Sequence, residues 1–418
     1  MGLTPEQVQI IKATVPVVKE HGNTITTAFY KNMLEENPEL KNIFNTANQA
    51  NGHQQAALAN ALYAYASNID NLGVLSQFVE RVCHKHASLY ITRTQYDIVG
   101  KYLIAAMKQI LDDALTSEIQ DAWTAAYVQL ANIMAGREEQ MYQESDGWTT
   151  WRPFRIVKKM PESSSITSFY LEPVDGEPLP IFRPGQYISV QMSVPGLKFL
   201  QSRQYSLSDR PGLPYYRISV KKEEGLNITS PNAKAHPGYI SNVLHKEKKE
   251  GDIIEVSHPQ GDFFLTPESE RATHPIVLIS AGVGITPMIS ILNHLQSSPS
   301  QSTRPLHFIH SSRTSTTSLP FLTYLQSSLP SSSSSSQHLT LFLTSSTFSQ
   351  HHHSTRISLL STIHLNPEND LFVNNPQTEY FICGPEKFMT EKRDELVKGL
   401  GIDEKRIRLE LFGTGGVN

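Results

Sequence analysis

Residues 75–86 read LSQFVERVCHKH, and this stretch decides how the first third of the chain folds. Read as a helix at about 100° per residue, it brings four residues within about 60° of one another: Leu75, Val79, Val82 and His86. The spacing predicts His86 on the buried stripe and His84 on the opposite, solvent-exposed face. An inward imidazole held by a rigid helix can serve as an axial haem ligand. A core histidine bonded to a backbone carbonyl has the same spacing, so the stretch alone leaves both interpretations open.

Helical patterns surround this stretch from Thr4 to about Tyr142. Thr4-Pro5-Glu6-Gln7 combines an N-cap, a first-turn proline and a capping glutamine. After this first helix, the patterns predict a short helix from Pro38 and longer ones over 23–36, 52–69, 74–86, 94–115 and 117–142. Short helices without intervening strands favour a compact bundle or a globin-type packing around a ligand.

One carboxylate interrupts the apolar face of the last predicted helix. Glu138 continues the stripe of Tyr127, Ala131 and Met134. A buried carboxylate is costly without a partner, so the pattern predicts a hydrogen-bonding partner for Glu138. An exposed position near a frayed helix end remains the alternative.

Composition restricts the possible functions. The 418 residues include 36 basic and 40 acidic side chains, a formal charge of −4, which argues against nucleic acid or an anionic membrane surface as partner. No apolar run approaches the ~18 residues of a membrane span, and the start MGLTPEQVQI lacks a signal-peptide core. Cys83 and Cys383 are far apart in sequence, which favours reduced thiols and a cytoplasmic protein. The length predicts two to three domains.

The helical pattern stops between Gln143 and Thr150, and short alternating segments follow as far as Thr266. They include FRIVKKM, QYISVQM and YYRISVKKEEG, and such regular short strands predict an antiparallel β-barrel. After Arg271, strands alternate with helices, and SAGVGITPMISILNHL reads as a strand end, a glycine turn and a helix with Thr286 as N-cap. This pattern predicts a doubly wound α/β domain. The predicted domains are 1–146, 151–268 and 272–418.

Motifs in the first domain resemble the globin domain of the flavohaemoglobins. In order they are Phe29-Tyr30, NPELKNIFN (37–45), NQANGHQ (48–54), AYASNI (64–69), KHASLYITRTQYDIVG (85–100) and DAW (121–123). The resemblance implies a haem b with His86 as the proximal iron ligand, flanked by Lys85. It also implies Phe44 packed on the haem, Tyr30, Gln54 and Leu58 on the distal side, and a relay of Tyr96 and Glu138 behind His86.

The remaining motifs resemble the ferredoxin-reductase superfamily. RPGQY (183–187), RQYSLS (203–208), GYISNVL (238–244) and GDFF (261–264) are similar to its flavin-binding strands, and AGVGITP with CGP to its nicotinamide-binding half. For FAD the resemblance implies Tyr187, Arg203, Gln204, Tyr205, Ser206, Gly238 and Ser241. For NADH or NADPH it implies Gly282, Val283, Gly284, Ile285, Thr286, Pro287, Cys383, Gly384 and Pro385. The C-terminal residues near both cofactors would be Glu410, Leu411, Phe412 and Gly413, with Phe412 covering the flavin.

Some segments depart from these motifs. The loop 226–237 is longer and more polar than expected for the superfamily, and 331–353 is rich in serine and histidine. The triplet 351–353, HHH, could catch a metal ion, although a solvated loop is the ordinary interpretation. Arg313, after a predicted strand, could meet the 2′-phosphate of NADPH, and the choice of NADH or NADPH stays open.

The three modules together predict a redox enzyme. A nicotinamide donates an electron pair, FAD can divide it, and a haem iron accepts single electrons. The resemblance implies an NAD(P)H-dependent nitric oxide dioxygenase that converts NO and O2 to nitrate and detoxifies NO. A reductase of peroxides, ferric species or quinones is one alternative, and an oxygen or NO sensor is another. We expect small-molecule partners, a monomer, and no stable association with membranes.

Overall fold

The computed structural model describes residues 2–45, 49, 52–223, 238–298, 303–312, 319–329, 336–343, 352–353, 357–361 and 365–412. The predicted loop 226–237, Arg313 and Gly413 lie outside these residues. No helix in the described part of the chain is long and apolar enough to cross a membrane.

Six α-helices are present in the part of the first domain that the structure describes. They are α1 (Pro5–Ala13), α2 (Val15–Glu36), α3 (His53–Ser67), α4 (Ser76–Ala87), α5 (Arg93–Leu111) and α6 (Ser117–Gln143), with a 3-10 turn at Pro38–Asn42. The predicted capping box is present, because Thr4 and Gln7 exchange side-chain-to-backbone hydrogen bonds at 3.0 and 3.2 Å. The α2 helix begins eight residues before its predicted start at Asn23, because Pro16 lies in the first turn, where a helix tolerates proline.

Helix α4 is covered on two sides. One side packs against α6, where Val79 and Val82 are half-buried and Cys83 is fully buried. His86 lies on this side, as the stripe predicts, with 33% of its side chain exposed. His84, on the opposite side, is buried as well.

The second domain is an antiparallel barrel. Its strands are β1 (Arg152–Pro161), β2 (Ile166–Pro173), β3 (Tyr187–Met192), β4 (Gln201–Ser206), β5 (Tyr216–Lys221) and β6 (Ile253–Val256), in the order β4-β3-β6-β1-β2-β5. A bridge between Leu207 and Ile218 joins the two outer strands and closes the sheet, with Ser208 N donating to the Arg217 carbonyl at 2.8 Å. Two short helices accompany these strands: α7 (Tyr239–Lys246) lies between β5 and β6, and α8 (Pro267–Arg271) follows β6.

The third domain is a parallel sheet with apolar clusters on both faces. Its strands are β7 (Ile276–Ala281), β8 (Leu306–Ser312), β9 (Gln337–Leu343), β10 (His352–His353), β11 (Glu379–Cys383) and β12 (Ile407–Glu410), in the order β10-β9-β8-β7-β11-β12. Its helices are α9 (Ile285–Ser297), α10 (Leu322–Ser328) and α11 (Glu386–Asp394). Strands β8 to β10 extend to one side of β7 and β11 and β12 to the other, so the strand order reverses between β7 and β11. The predicted fold class is confirmed in all three parts.

Candidate functional site

The proximal site is a hydrogen-bonded group behind His86. Nδ1 of His86 lies 2.9 Å from Oε1 of Glu138 and 2.9 Å from the Tyr96 hydroxyl. The Tyr96 hydroxyl donates to the same carboxylate oxygen at 2.5 Å. Because the carboxylate can only accept, Nδ1 carries the proton and the Nε2 lone pair is left for a metal ion. This is the donor set that an axial haem ligand needs.

Two members of this group, Tyr96 and Glu138, are buried. Glu138 is only 2% exposed, so the frayed-end alternative is wrong, and the predicted partners are present. Burial, reinforced by the Glu138 charge, raises the pKa of Tyr96 far above its ordinary value. Tyr96 therefore stays a hydroxyl donor throughout the physiological pH range.

The distal side carries a phenol in an aromatic cluster. Tyr30 is buried on α2, with its ring 4.7 Å from that of Phe29 and 5.6 Å from that of Phe44. Burial raises the pKa of Tyr30, whereas the side chain of Gln54 acts to lower it, which sets this amide beside the phenol. Leu58, one turn further along α3, packs against the same core.

One buried atom at this site has no partner among the described residues. Oε1 of Gln54 is shielded from solvent and accepts no hydrogen bond there. A polar atom of this kind, next to a phenol donor, fits a site that receives a small polar ligand.

The flavin site predicted from RPGQY and RQYSLS lies on adjacent strands. Tyr187 on β3 pairs with Ser206 on β4, and Ile188 pairs with Tyr205. The Ser206 hydroxyl is buried and has no hydrogen-bond partner among the residues described, which fits a site for a polar ring edge. Burial raises the pKa of both phenols, Tyr187 and Tyr205, so each remains neutral.

Arg203 and Gln204 contact the globin domain as well as their own strand. The Arg203 guanidinium donates to the Ser202 carbonyl at 2.6 Å and to Oδ1 of Asn45 at 2.7 Å. A guanidinium has five N–H donors, so these contacts leave capacity for a phosphate. Nε2 of Gln204 lies 3.5 Å from the hydroxyl of Ser88, which follows α4.

The turn at which α7 begins is tightly packed. Ser241 donates to the Gly238 carbonyl at 2.9 Å and accepts from the backbone N–H of Glu223 at 3.3 Å. A Cβ at Gly238 would lie 2.5 Å from Cβ of Glu223 and 2.5 Å from the Ser241 hydroxyl. The hydroxyl predicted to contact phosphate therefore also orders the turn, and phosphate binding at this turn stays a prediction.

The predicted nicotinamide motifs meet where the strand order reverses. GVG (282–284) follows β7, and CGP (383–385) begins at the last residue of β11. A Cβ on Gly284 would lie 2.4 Å from the Cys383 carbonyl oxygen. Ligands of doubly wound sheets bind at such a reversal. The helix α9 begins at Ile285, so the prediction of Thr286 as N-cap is wrong. Its hydroxyl instead donates to the Val283 carbonyl at 3.0 Å, while Pro287 occupies the first turn.

All three domains contribute charge to one junction. Glu410 ends β12 and is buried, and it interacts electrostatically with Lys85 and Arg81 of α4 and with Asp262 of the barrel domain. Arg81 and Asp262 form an ion pair at 3.4 Å. Burial and the Asp262 charge raise the pKa of Glu410 to about 8, although the two cations oppose this.

The residues after Glu410 differ in burial. Leu411 is buried in the core of the third domain, whereas Phe412 is 43% exposed. Coverage of a flavin by Phe412 stays a prediction.

The prediction that His84 lies on the solvent-exposed face of α4 is wrong. His84 is buried, and its Nδ1 lies 2.9 Å from Oε1 of Gln260 in the barrel domain. Periodicity within one helix shows which face is polar, and it does not show that a second domain covers that face.

Two further contacts across this interface were not predicted from the sequence. Ser189 donates to Ser88 at 2.9 Å, and the Tyr90 hydroxyl accepts from the His258 backbone N–H at 3.0 Å. Tyr90 has φ of 57°, a left-handed conformation rare for tyrosine. In the sequence, Ser88 and Tyr90 belong to the globin motif KHASLY, and nothing in that motif predicts a contact with a second domain.

A globin with a hydrogen-bonded proximal histidine, joined to a flavin-type barrel and a parallel nucleotide-binding sheet, defines a haem protein with its own pyridine-nucleotide reductase. The globin family model matches residues 27–134, and that of the oxidoreductase NAD-binding domain matches 278–394. The flavohemoprotein of Bordetella pertussis is 43% identical over 99% of this chain and all of its own length, and that of Bacillus subtilis is 41% identical over 98% of each. The chain belongs to the flavohemoprotein family.

Solved structures agree with this assignment. The flavohemoglobin of Malassezia yamatoensis, determined with bound FAD and haem, is 28% identical with a TM-score of 0.83, covering 99% of this chain and 100% of that one. The FAD/NAD-binding domain of the Vibrio cholerae nitric oxide dioxygenase is 31% identical with a TM-score of 0.51, covering 63% of this chain and 98% of that one. The predicted set of haem, FAD and nicotinamide nucleotide is confirmed for the family, as is NAD(P)H-dependent oxidoreductase chemistry.

Proposed function

We propose that this chain is an NAD(P)H-dependent nitric oxide dioxygenase that oxidises NO with O2 to nitrate. The observation that carries the proposal is the group of His86, Tyr96 and Glu138 in the same chain as a reductase. A globin that only stores or senses a gas has no need of the two C-terminal domains. A relative named nitric oxide dioxygenase shares 31% identity over the reductase part.

Each of the three cofactors would have its own part in electron transfer, which begins in the third domain and ends in the first. Bound nicotinamide, FAD and haem supply, respectively, an electron pair, a carrier that divides the pair, and a one-electron centre for O2. The residues proposed to hold the nicotinamide are those of GVG, CGP and the α9 N-terminus. Those proposed for FAD are Tyr187, Arg203, Gln204, Tyr205, Ser206, Gly238 and Ser241.

The proximal residues would tune the metal through its ligand. Glu138 and Tyr96 hold the Nδ1 proton of His86 in a buried, charge-assisted hydrogen bond. The imidazole gains anionic character in this arrangement, and a more basic ligand donates more electron density to the metal. This donation favours the reduction of O2 and not only its storage.

The distal residues would control the reacting molecules. Tyr30 is buried and neutral, so its hydroxyl is a donor for a partly negative oxygen atom. Gln54 supplies an amide beside it, and Phe44 and Leu58 form apolar walls. Apolar side chains around the bound haem would limit access of water and leave room for diatomic gases.

The test is the stoichiometry of product formation by the purified holoenzyme. Each O2 takes up four electrons as nitrate forms, three from NO and one from NAD(P)H. One NAD(P)H therefore supports the conversion of two NO and two O2, and we expect about two nitrates per NAD(P)H oxidised in air with NO present. NADH and NADPH are compared in parallel. A nitrate yield near zero, with NAD(P)H oxidised at an undiminished rate, would contradict the dioxygenase proposal and favour a reductase of peroxides, ferric species or quinones.

A further inference from the structure

Two histidines and an aspartate converge inside the third domain, at the amino-terminal ends of its strands. His307 is the second residue of β8 and His338 the second residue of β9, and the two are paired directly in the parallel register. Both side chains are buried, and Asp370 approaches them from the loop before β11. One ligand atom from each of the three side chains lies within 4.8 Å of the others.

The proton on His307 is fixed by its neighbours. Nδ1 of His307 lies 2.8 Å from the backbone carbonyl of Asp370, and a carbonyl only accepts, so Nδ1 is protonated. Nε2 then carries a lone pair, and it lies 2.8 Å from the hydroxyl of Thr340. A backbone carbonyl that orients the far ring N–H is the usual arrangement behind a metal-binding histidine.

His338 lacks the partners that a buried imidazole normally has. Its side chain is 9% exposed, yet neither ring nitrogen makes a hydrogen bond to any residue that the structure describes. Nε2 lies 3.3 Å from Oδ1 of Asp370 without hydrogen-bond geometry. The centroids of the His307 and His338 rings lie 3.8 Å apart, with the ring planes tilted by 33°. A buried imidazole without a hydrogen-bond partner in the described part of the chain, next to a second imidazole and a carboxylate, needs an explanation.

The cluster is remote from the proposed redox chemistry. Nucleotides bind at the carboxyl ends of parallel strands, whereas His307 and His338 lie at the opposite ends. At about 3.3 Å per residue, the five residues from His307 to Ser312 span roughly 16 Å. None of the residues proposed for haem, FAD or nicotinamide belongs to this cluster.

We propose that His307, His338 and Asp370 bind a divalent transition metal ion, with Zn²⁺ as the preferred ion. Two imidazoles and a carboxylate suit Zn²⁺, whereas Mg²⁺ and Ca²⁺ prefer oxygen ligands. Metal–ligand distances of about 2.0–2.2 Å require the side chains of His338 and Asp370 to turn inward. The Thr340 hydroxyl or a water molecule completes the tetrahedron.

The role of this metal is structural. Asp370 belongs to a turn in which its own carboxylate accepts from the Asn366 backbone N–H at 2.6 Å. The ion would link this turn to β8 and β9, across the sheet face that carries Leu371 and Tyr380. A structural site of this kind raises stability and leaves electron transfer unaffected.

The test uses the full-length holoenzyme, freed of loosely bound metal with EDTA and then given Zn²⁺ alone. Zinc and iron contents are measured together after gel filtration, because the iron content gives the concentration of haem-loaded protein. We expect about one zinc per haem and a zinc-dependent rise in melting temperature. Asp370→Asn, which keeps the size of the side chain, and His338→Leu should each reduce zinc affinity at least tenfold, with FAD content and NAD(P)H–ferricyanide reductase activity unchanged.

The control replaces the sequence triplet 351–353 with three serines, because consecutive histidines can bind zinc adventitiously. The triple variant should keep its zinc. Loss of zinc in this variant, an unchanged zinc content in both Asp370→Asn and His338→Leu, or no retained zinc in the wild type would each overturn the proposal. If His338→Leu does not fold, Asp370→Asn alone decides between the outcomes.

Discussion

Nδ1 of His84 lies 2.9 Å from Oε1 of Gln260, and this contact joins the helix that carries the proximal histidine to the barrel domain. His84 is two residues from His86, so we expect the position of the proposed iron ligand to depend on this contact with the barrel domain. Because both partners are buried, removing either one leaves a polar group without a partner.

We expect His84→Ala and Gln260→Ala each to weaken this interface, and the double variant to be little worse than either. The predicted coupling energy is about 1 kcal/mol, typical for a buried hydrogen bond. For each variant the free energy of unfolding of the globin domain is measured in urea by haem absorbance. The coupling energy is the difference between the effect of the double variant and the sum of the two single effects. Strictly additive effects would mean that the two side chains do not interact.

Glu138→Gln should weaken the donation of electron density through His86 while keeping the shape of the side chain. Changes to groups that orient a metal ligand typically cost 10- to 100-fold, and we expect a fall in nitrate turnover of about that size. The iron–histidine stretching frequency should fall, whereas flavin reduction by NAD(P)H should not change. Glu139→Gln is the matched control, because Glu139 is exposed on the same helix.

Tyr30→Phe should release O2 from the ferrous protein faster, by about tenfold, because one hydrogen-bond donor to the ligand is lost. The measurement is the O2 dissociation rate by rapid mixing. Tyr65→Phe is the control, since that buried hydroxyl donates to the Ala126 carbonyl at 2.9 Å and is assigned no role at the haem. Equal dissociation rates in Tyr30→Phe and wild type would remove Tyr30 from the distal site.

Glu410 predicts a pH dependence of stability. Its pKa is raised from 4.5 to about 8, so between these values the folded state holds a proton that the unfolded state releases. Stability from this group is therefore complete below pH 4.5 and is lost as the pH rises through 8. Glu410→Gln should lose less melting temperature than the wild type between about pH 6 and 9. The exposed Glu404→Gln should match the wild type, and identical slopes in all three would contradict the assignment.

Gly284→Ala should impair nicotinamide binding, because its Cβ would lie 2.4 Å from the Cys383 carbonyl oxygen and would separate the two motifs. We expect the KM for NAD(P)H to rise roughly tenfold or more, with an unchanged carbon monoxide spectrum of the dithionite-reduced haem. Gly136→Ala is the control, since its Cβ would meet nothing within 4 Å. An unchanged KM would show that the contact yields without cost.

The sequence predicted the elements and their order, because hydrophobic periodicity and turn residues are local signals. Glu138 needed a buried partner, and the structure provides His86 and Tyr96. The failures concern neighbours that lie far away in the sequence. His84 has a polar helical face in its own segment and is buried only by the barrel, and the His307–His338 pair depends on the register of two strands. The prediction of Thr286 as N-cap failed for a local reason, because a 3-10 turn over Gly282–Gly284 leads directly into a helix that begins at Ile285.

The side of α4 that the barrel domain covers also has a consequence for biosynthesis. Gln260 lies 176 residues after its partner His84, and Ser189 lies 101 residues after Ser88, which directly follows the helix. At about 5–20 residues per second, the ribosome delivers these partners roughly 5 to 35 seconds after the helix emerges. During that interval α4 can pack against the globin core but not against the barrel domain. One side of the helix therefore stays exposed in the nascent globin domain until the barrel domain has been synthesised.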